Sequence, residues 1–205
     1  MAHQLAIMAK ALKRDMETAL CQKGARTTGS NTQARVTGGF ESWMTSNVSR
    51  GTGGASGGDG VAPTDATTGN RRALTEPLLK SVLQSCFQNG GDPSLAICGP
   101  VNKQVISGFT GRSQARQFVD ANTVEASVSI YASDFGELKI VPSNFSRDRS
   151  LLLVDPEYAK VSYLRDFKTV DIATVGDAVT KMLLVEYGLE VGNEAAHGIV
   201  ADLTT

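Results

Sequence analysis

Gly54-Ala55-Ser56-Gly57-Gly58 matches G-x-S-x-G, the pattern that lifts a nucleophilic serine onto a strained turn. That chemistry needs a buried strand before the serine, a helix after it, and a histidine oriented by a carboxylate. Neither flank is present. The two histidines, His3 and His197, stand at opposite ends of the chain with no evident acidic orienter. The same glycines are no phosphate loop, because no Lys-Ser or Lys-Thr follows them and no strand precedes them. The three cysteines, Cys21, Cys86 and Cys98, are far apart and form no CxxC. Their expected state is reduced and buried, not metal-bound or bridged. Glu186 and Glu190 lie four residues apart on the polar face of one predicted strand, hence about 13 Å apart. That is too far for a cooperating acid–base pair, so they belong to a solvated or interfacial face. Arg112 and Arg116, with Lys103 nearby, make a modest basic cluster, and Arg147 and Arg149 lie in a polar loop. Each arginine pair reads as a solvated loop or as a contact to a neighbouring subunit. The residues offer no catalytic group, no metal site and no cofactor, and the chain is not expected to be an enzyme.

The elements that carry these residues follow from composition and period. A chain of 205 residues with 41% hydrophobic content can bury a substantial core. A net charge of −1 argues against a dedicated nucleic-acid binder. No run of about 18 apolar residues suggests a membrane span. Residues 2–22 read as an amphipathic helix, with Leu5, Met8, Leu12, Met16 and Leu20 on one stripe. No N-cap residue precedes it. Phe40, Trp43 and Met44 share a face of a short helix, with Trp43 as a core anchor. The stretch Gly51 to Gly69 has little to bury and is expected to be a long mobile surface loop.

Thr75 is a good N-cap, and Pro77 is tolerated in the first turn of the helix that follows. Leu79, Val82, Leu83, Cys86 and Phe87 form its predicted buried stripe, and Asn89-Gly90-Gly91 ends it. Ser94 to Cys98 is a short buried strand. Gly99-Pro100 then opens a helix with Val101, Val105, Ile106 and Phe109 inward. Val124, Ala126, Val128 and Ile130 alternate with polar residues, as one buried face of a strand. Ser133-Asp134-Phe135-Gly136 turns the chain into Leu138 and Ile140, a β-hairpin. Leu151 to Val154 is apolar throughout and reads as a central strand. Asp155-Pro156-Glu157-Tyr158 predicts one helical turn. Strands follow around Val161–Tyr163 and over Leu183–Val191, and Ile199–Leu203 is a last short strand or edge. This is an α+β pattern whose last third is a meander of strands.

Several stretches in this order resemble one family: Thr75-Glu76-Pro77-Leu78-Leu79-Lys80, Gly99-Pro100-Val101-Asn102-Lys103, Ser133-Asp134-Phe135-Gly136, Leu153-Val154-Asp155-Pro156-Glu157-Tyr158, and Val185-Glu186-Tyr187-Gly188 through His197-Gly198. Together they look like the major capsid proteins of tailed bacteriophages, over nearly all of the chain. The resemblance implies the Hong Kong 97-type capsid fold. Residues 1–74 would then be the first part of a peripheral domain, with a spine helix at 2–22 and the loop at 51–69. Residues 75–155 would be the axial domain, and 156–205 would return strands to the periphery. The implied function is a structural head-shell subunit of a phage or prophage, located in the virion and assembled in the bacterial cytoplasm. Its partners would be other copies of itself, with packaged DNA bound weakly and nonspecifically and no membrane. The family also implies an arm and an extended hairpin before the spine helix, which these residues lack. A shortened chain that stays a monomer or small oligomer alone is therefore expected. The candidate subunit contacts are Arg112, Arg116, Arg147, Arg149, Glu186 and Glu190. The rival readings are a small enzyme lidded by residues 51–69 and a nucleic-acid module built on the four arginines.

Overall fold

A computed structural model describes residues 2–109, 129–173, 176 and 180–205. The first element is helix α1, Ala2–Cys21. Only Met16 of its apolar stripe is fully buried, and Met8 is 61% exposed, so the first half of the helix reaches past the body. The chain then turns at Gly39, where an added Cβ would sit 1.7 Å from the Gln22 carbonyl oxygen. Only glycine fits that approach. A 3-10 turn follows at Phe40–Ser42, and Phe40 and Met44 go into the core. Trp43 packs on the same apolar cluster and carries the Arg26 guanidinium 5.5 Å from its ring, in line with the anchor role.

The body is a mixed six-stranded sheet. Its strands are β1 (Val48–Ser49), β2 (Leu95–Cys98), β3 (Ile130–Ser133), β4 (Gly136–Pro142), β5 (Leu151–Val154) and the last strand of the chain, β8 (Gly198–Val200). Their spatial order is β1-β8-β5-β2-β4-β3. β5 is central and wholly buried, as its unbroken apolar run predicts. Its residues alternate between two cores. Leu151 and Leu153 join the side chains of helix α2 (Glu76–Gln88) and helix α3 (Pro100–Ser107) on one face of the sheet. Leu152 and Val154 join Phe40, Met44 and Ile199 on the other. Burying each such leucine contributes roughly 1.5–3 kcal/mol. β8 pairs parallel with β1 and antiparallel with β5. Of the two expectations for this stretch, a last short strand or an edge, the short strand is the one found, and it lies inside the sheet between β1 and β5.

Strands β6 (Ala159–Asp171) and β7 (Lys181–Val191) form a separate two-stranded antiparallel ribbon. They are not part of a single meander with β3–β5. Lys160, Arg165 and Lys168 on β6, with Glu186 and Glu190 on β7, leave too much charge for a strand buried on both faces. The ribbon is rooted by Ala159, Leu189 and Val191 on the second core cluster, and by the hydroxyl of Thr37 accepting the Leu189 N–H at 3.1 Å.

Three side-chain placements differ from the periodic reading. Tyr131, not Ile130, is buried in the hairpin: Tyr131 is 2% exposed and Ile130 47%. The ladder sets Tyr131 opposite the buried Leu138, and its hydroxyl donates to Glu76 Oε1 at 3.0 Å, so an aromatic with a polar tip goes inward. The alternating residues Val124, Ala126 and Val128 lie outside the described residues. Phe87 is 57% exposed because Leu79, Val82, Leu83 and Cys86 already fill the inward arc of α2. It stacks instead on Phe135, with ring centroids 5.2 Å apart. In α3, Val101 and Val105 face outward, while Asn102 goes in and donates to the Asp148 carbonyl at 2.7 Å.

Candidate functional site: a buried charge network and an outlying ribbon

The Gly-rich stretch expected to be an unstructured mobile loop is hydrogen-bonded to the body. Ala55 bridges Thr64, Gly58 bridges Val61, and the Gly58 and Gly60 N–H groups donate to the Ser42 carbonyl at 2.8 and 3.1 Å. Gly60 adopts φ +79°, which its lack of a Cβ permits. Asp202, from the other end of the chain, accepts the Gly51 N–H at 3.1 Å and the Ala66 N–H at 2.9 Å. Composition could not show these anchors, because they are backbone groups and a residue 136 or more positions away.

Below this stretch lies a network of ionised side chains. Arg147 reaches Glu41 Oε2 and Asp65 Oδ2, each at 2.8 Å. Lys23 holds the same Asp65 oxygen at 2.6 Å, Arg50 lies 3.9 Å from Glu41, and the Ser150 hydroxyl donates to Glu41. Glu41 is fully buried. Burial opposes ionisation at Asp65, but Lys23 and Arg147 outweigh it and hold the carboxyl below its ordinary 3.8. Arg147 is thus committed inside the chain. A buried carboxylate gripped by arginines could hold a substrate anion only by giving up these partners, so the network is a brace joining residues 23, 41, 50, 65, 147 and 150. Reading the sequence missed Glu41, since Phe-Glu-Ser-Trp-Met has an ordinary amphipathic pattern.

The other predicted residues are dispersed. Arg149 is partly exposed, and its carbonyl accepts the Leu203 N–H at 3.0 Å. Arg112 and Arg116 lie outside the described residues. Glu186 and Glu190 do share one face of β7, but each is paired within the ribbon. Arg165 Nε sits 2.9 Å from Glu186, and Lys160 Nζ sits 3.3 Å from Glu190. The Ser162 hydroxyl, followed by Lys160, holds the Glu190 carboxyl below its ordinary 4.5.

His197 is wholly buried, its Nδ1 accepts the Asp155 N–H at 3.1 Å, and burial lowers its pKa below 6.5. It packs edge-on to Phe40, 5.0 Å between centroids. Burial pushes the Cys86 thiol up to about 12 and those of Cys21 and Cys98 to about 11, against thiolate chemistry. Among the described residues no group of three or more His, Cys, Asp or Glu side chains could hold a metal ion. No described helix is long and apolar enough to cross a membrane.

The fold has solved counterparts. The satellite phage P4 procapsid including the size determination (Sid) protein contains a chain matching 98% of this one, with a TM-score of 0.57 and 15% identity. The SrpI encapsulin of Synechococcus elongatus matches 98% of the chain with a TM-score of 0.51 and 15% identity. In both cases this chain spans 64% of the relative's length. These likenesses show the Hong Kong 97-type capsid fold. No curated protein matches the sequence. The model of the SU10 major capsid protein family matches residues 1–204, so the chain belongs to that family.

Proposed function

We propose that this chain is the shell-forming body of a tailed-phage head protein, packed in many copies into a closed icosahedral shell around DNA. The observation that carries the reading is the family match over residues 1–204. The structure supports it with a braced body, an outlying ribbon and a helix that reaches past the core. In this reading α1 and the ribbon are peripheral, and the six-stranded sheet with α2 and α3 is axial. Arg112 and Arg116 are proposed contacts to a neighbouring subunit. Glu186 and Glu190 serve there chiefly by keeping the ribbon's own charges paired. The role is structural and asks for no catalysis. The near-neutral chain supports weak, nonspecific contact with packaged DNA. Each contact can be modest because closure over many copies multiplies it.

The test is electron microscopy of the gene product that contains these residues, expressed in bacteria. Uniform shells or capsomer-sized rings are expected. Small soluble particles at every concentration would overturn the reading.

A further inference from the structure

The brace around Glu41 is not balanced in charge. Glu41 is shared by two arginines. Its Oε2 takes Arg147 at 2.8 Å and its Oε1 takes the Ser150 hydroxyl. Arg50 stands 3.9 Å from Oε2, within charge contact but beyond hydrogen-bond reach. Asp65 is likewise shared, between Lys23 and Arg147. Three cations thus meet two carboxylates. Asp202 does not make up the difference. It accepts the Gly51 and Ala66 N–H groups, next to Arg50 and Asp65 in the chain, but its charge faces Arg72. Arg72 in turn reaches the Ser49 hydroxyl at 2.8 Å, so it brings one more cation for one more carboxylate.

Arg50 carries the excess. Its side chain is only 6% exposed, yet Nε, Nη1 and Nη2 find no hydrogen-bonding partner among the described residues. A guanidinium has five N–H donors in a rigid fork, and holding all of them unmatched away from water is strongly unfavourable. Arg147 would have to release Glu41 and Asp65 to take another acceptor, whereas Arg50 has no hydrogen bond to release. A water could accept from the guanidinium but would leave the charge. An anion answers both needs. The backbone of a nucleic acid cannot reach a side chain so enclosed, and an excess of one positive charge calls for a monovalent ion. Ser146, 7% exposed and one residue before Arg147, has a hydroxyl without a partner and offers a further donor on the same loop. Asp65 Oδ1 is also buried and unpartnered, but it is an acceptor and calls for water, not for an anion.

We propose that the Arg50 guanidinium holds a small monovalent anion of chloride size inside the protein, as the counter-charge of the brace. The ion ties the chain just after β1 to the 3-10 turn that carries Glu41. The folded chain holds it and the unfolded chain does not, so stability depends on the anion's concentration. The inference is independent of the shell reading, since it concerns the interior of one chain.

The experiment follows the denaturant midpoint of the gene product that contains these residues, as sodium chloride replaces sodium gluconate at constant ionic strength and protein concentration. An ion held by the folded state alone raises the folding equilibrium constant by up to about tenfold for each tenfold rise in chloride above its dissociation constant. The wild-type midpoint is expected to rise with chloride, and that of Arg50→Gln is expected not to. Arg14→Gln, at an exposed position of α1, removes the same charge elsewhere and should respond as the wild type does. A wild-type midpoint indifferent to chloride would overturn the site, and so would an equal rise in Arg50→Gln. A second measurement needs no variant and so covers an Arg50→Gln chain that fails to fold. Crystals grown in sodium bromide should show an anomalous peak against the Arg50 guanidinium, and no anomalous signal there would mean water alone and overturn the proposal.

Discussion

At the scale of single residues, burial decides which charges matter. Glu41 and Glu190 are both paired carboxylates, but Glu41 is fully buried and Glu190 lies in the open ribbon. Removing one partner of a buried pair leaves an uncompensated charge, so Arg147→Met is expected to destabilise by about 3–5 kcal/mol in denaturant titration. Glu190→Gln should leave the same unfolding midpoint unchanged. His197 adds a pH dependence of definite sign. Its folded pKa lies below 6.5, so the unfolded chain binds the proton more readily. Its contribution is complete above pH 6.5 and declines as pH falls toward the folded pKa. His197→Gln should reduce the stability change between pH 7 and pH 5.5, measured by denaturant midpoints. Asp65 acts in a more acid window: its carboxyl is held below 3.8, so its stabilisation is present above that value and lost as pH falls through the folded pKa. None of these partners was legible in the sequence, because they join positions as far apart as 41 and 147.

At the scale of elements, period carried most of the reading. The unbroken apolar run Leu151–Val154 told its own story, and β5 is the central strand. Leu153→Ala, at 0% exposure, is expected to cost about 2–5 kcal/mol in chemical denaturation. Thr75, Pro77 and Gly90 marked the ends of α2 correctly, with Gly90 at φ +81° after the cap. Period failed where a polar atom found a partner inside. Tyr131 and Asn102 went in because Glu76 and the Asp148 carbonyl met them, and Ile130 and Val101 were displaced outward. Gly39 was visible only as punctuation, yet it sets the angle between α1 and the body. A Cβ there would strike backbone at 1.7 Å, so Gly39→Ala is expected to lower the thermal midpoint sharply, whereas Gly69→Ala, with nothing within 4 Å, should not.

At the scale of the molecule, the architecture is one sheet closed by the first and last thirds of the chain, with a ribbon and a helix projecting from it. Strand content was readable from residue types, but the partition into two sheets was not. β6 and β7 look like their neighbours in sequence, and the pairing of β8 with β1, with Asp202 on the Gly51 and Ala66 N–H groups, shows that the chain returns to its first third. The functional site was legible as family resemblance and not as chemistry. A shell subunit uses whole surfaces, and surfaces leave no short motif. The proposed function is that the protein containing these residues forms a shell. Electron microscopy of the gene product that contains them tests that most directly. Closed, uniform particles or capsomer-sized rings are expected, and a product that remains monomeric at all concentrations would rule the shell role out.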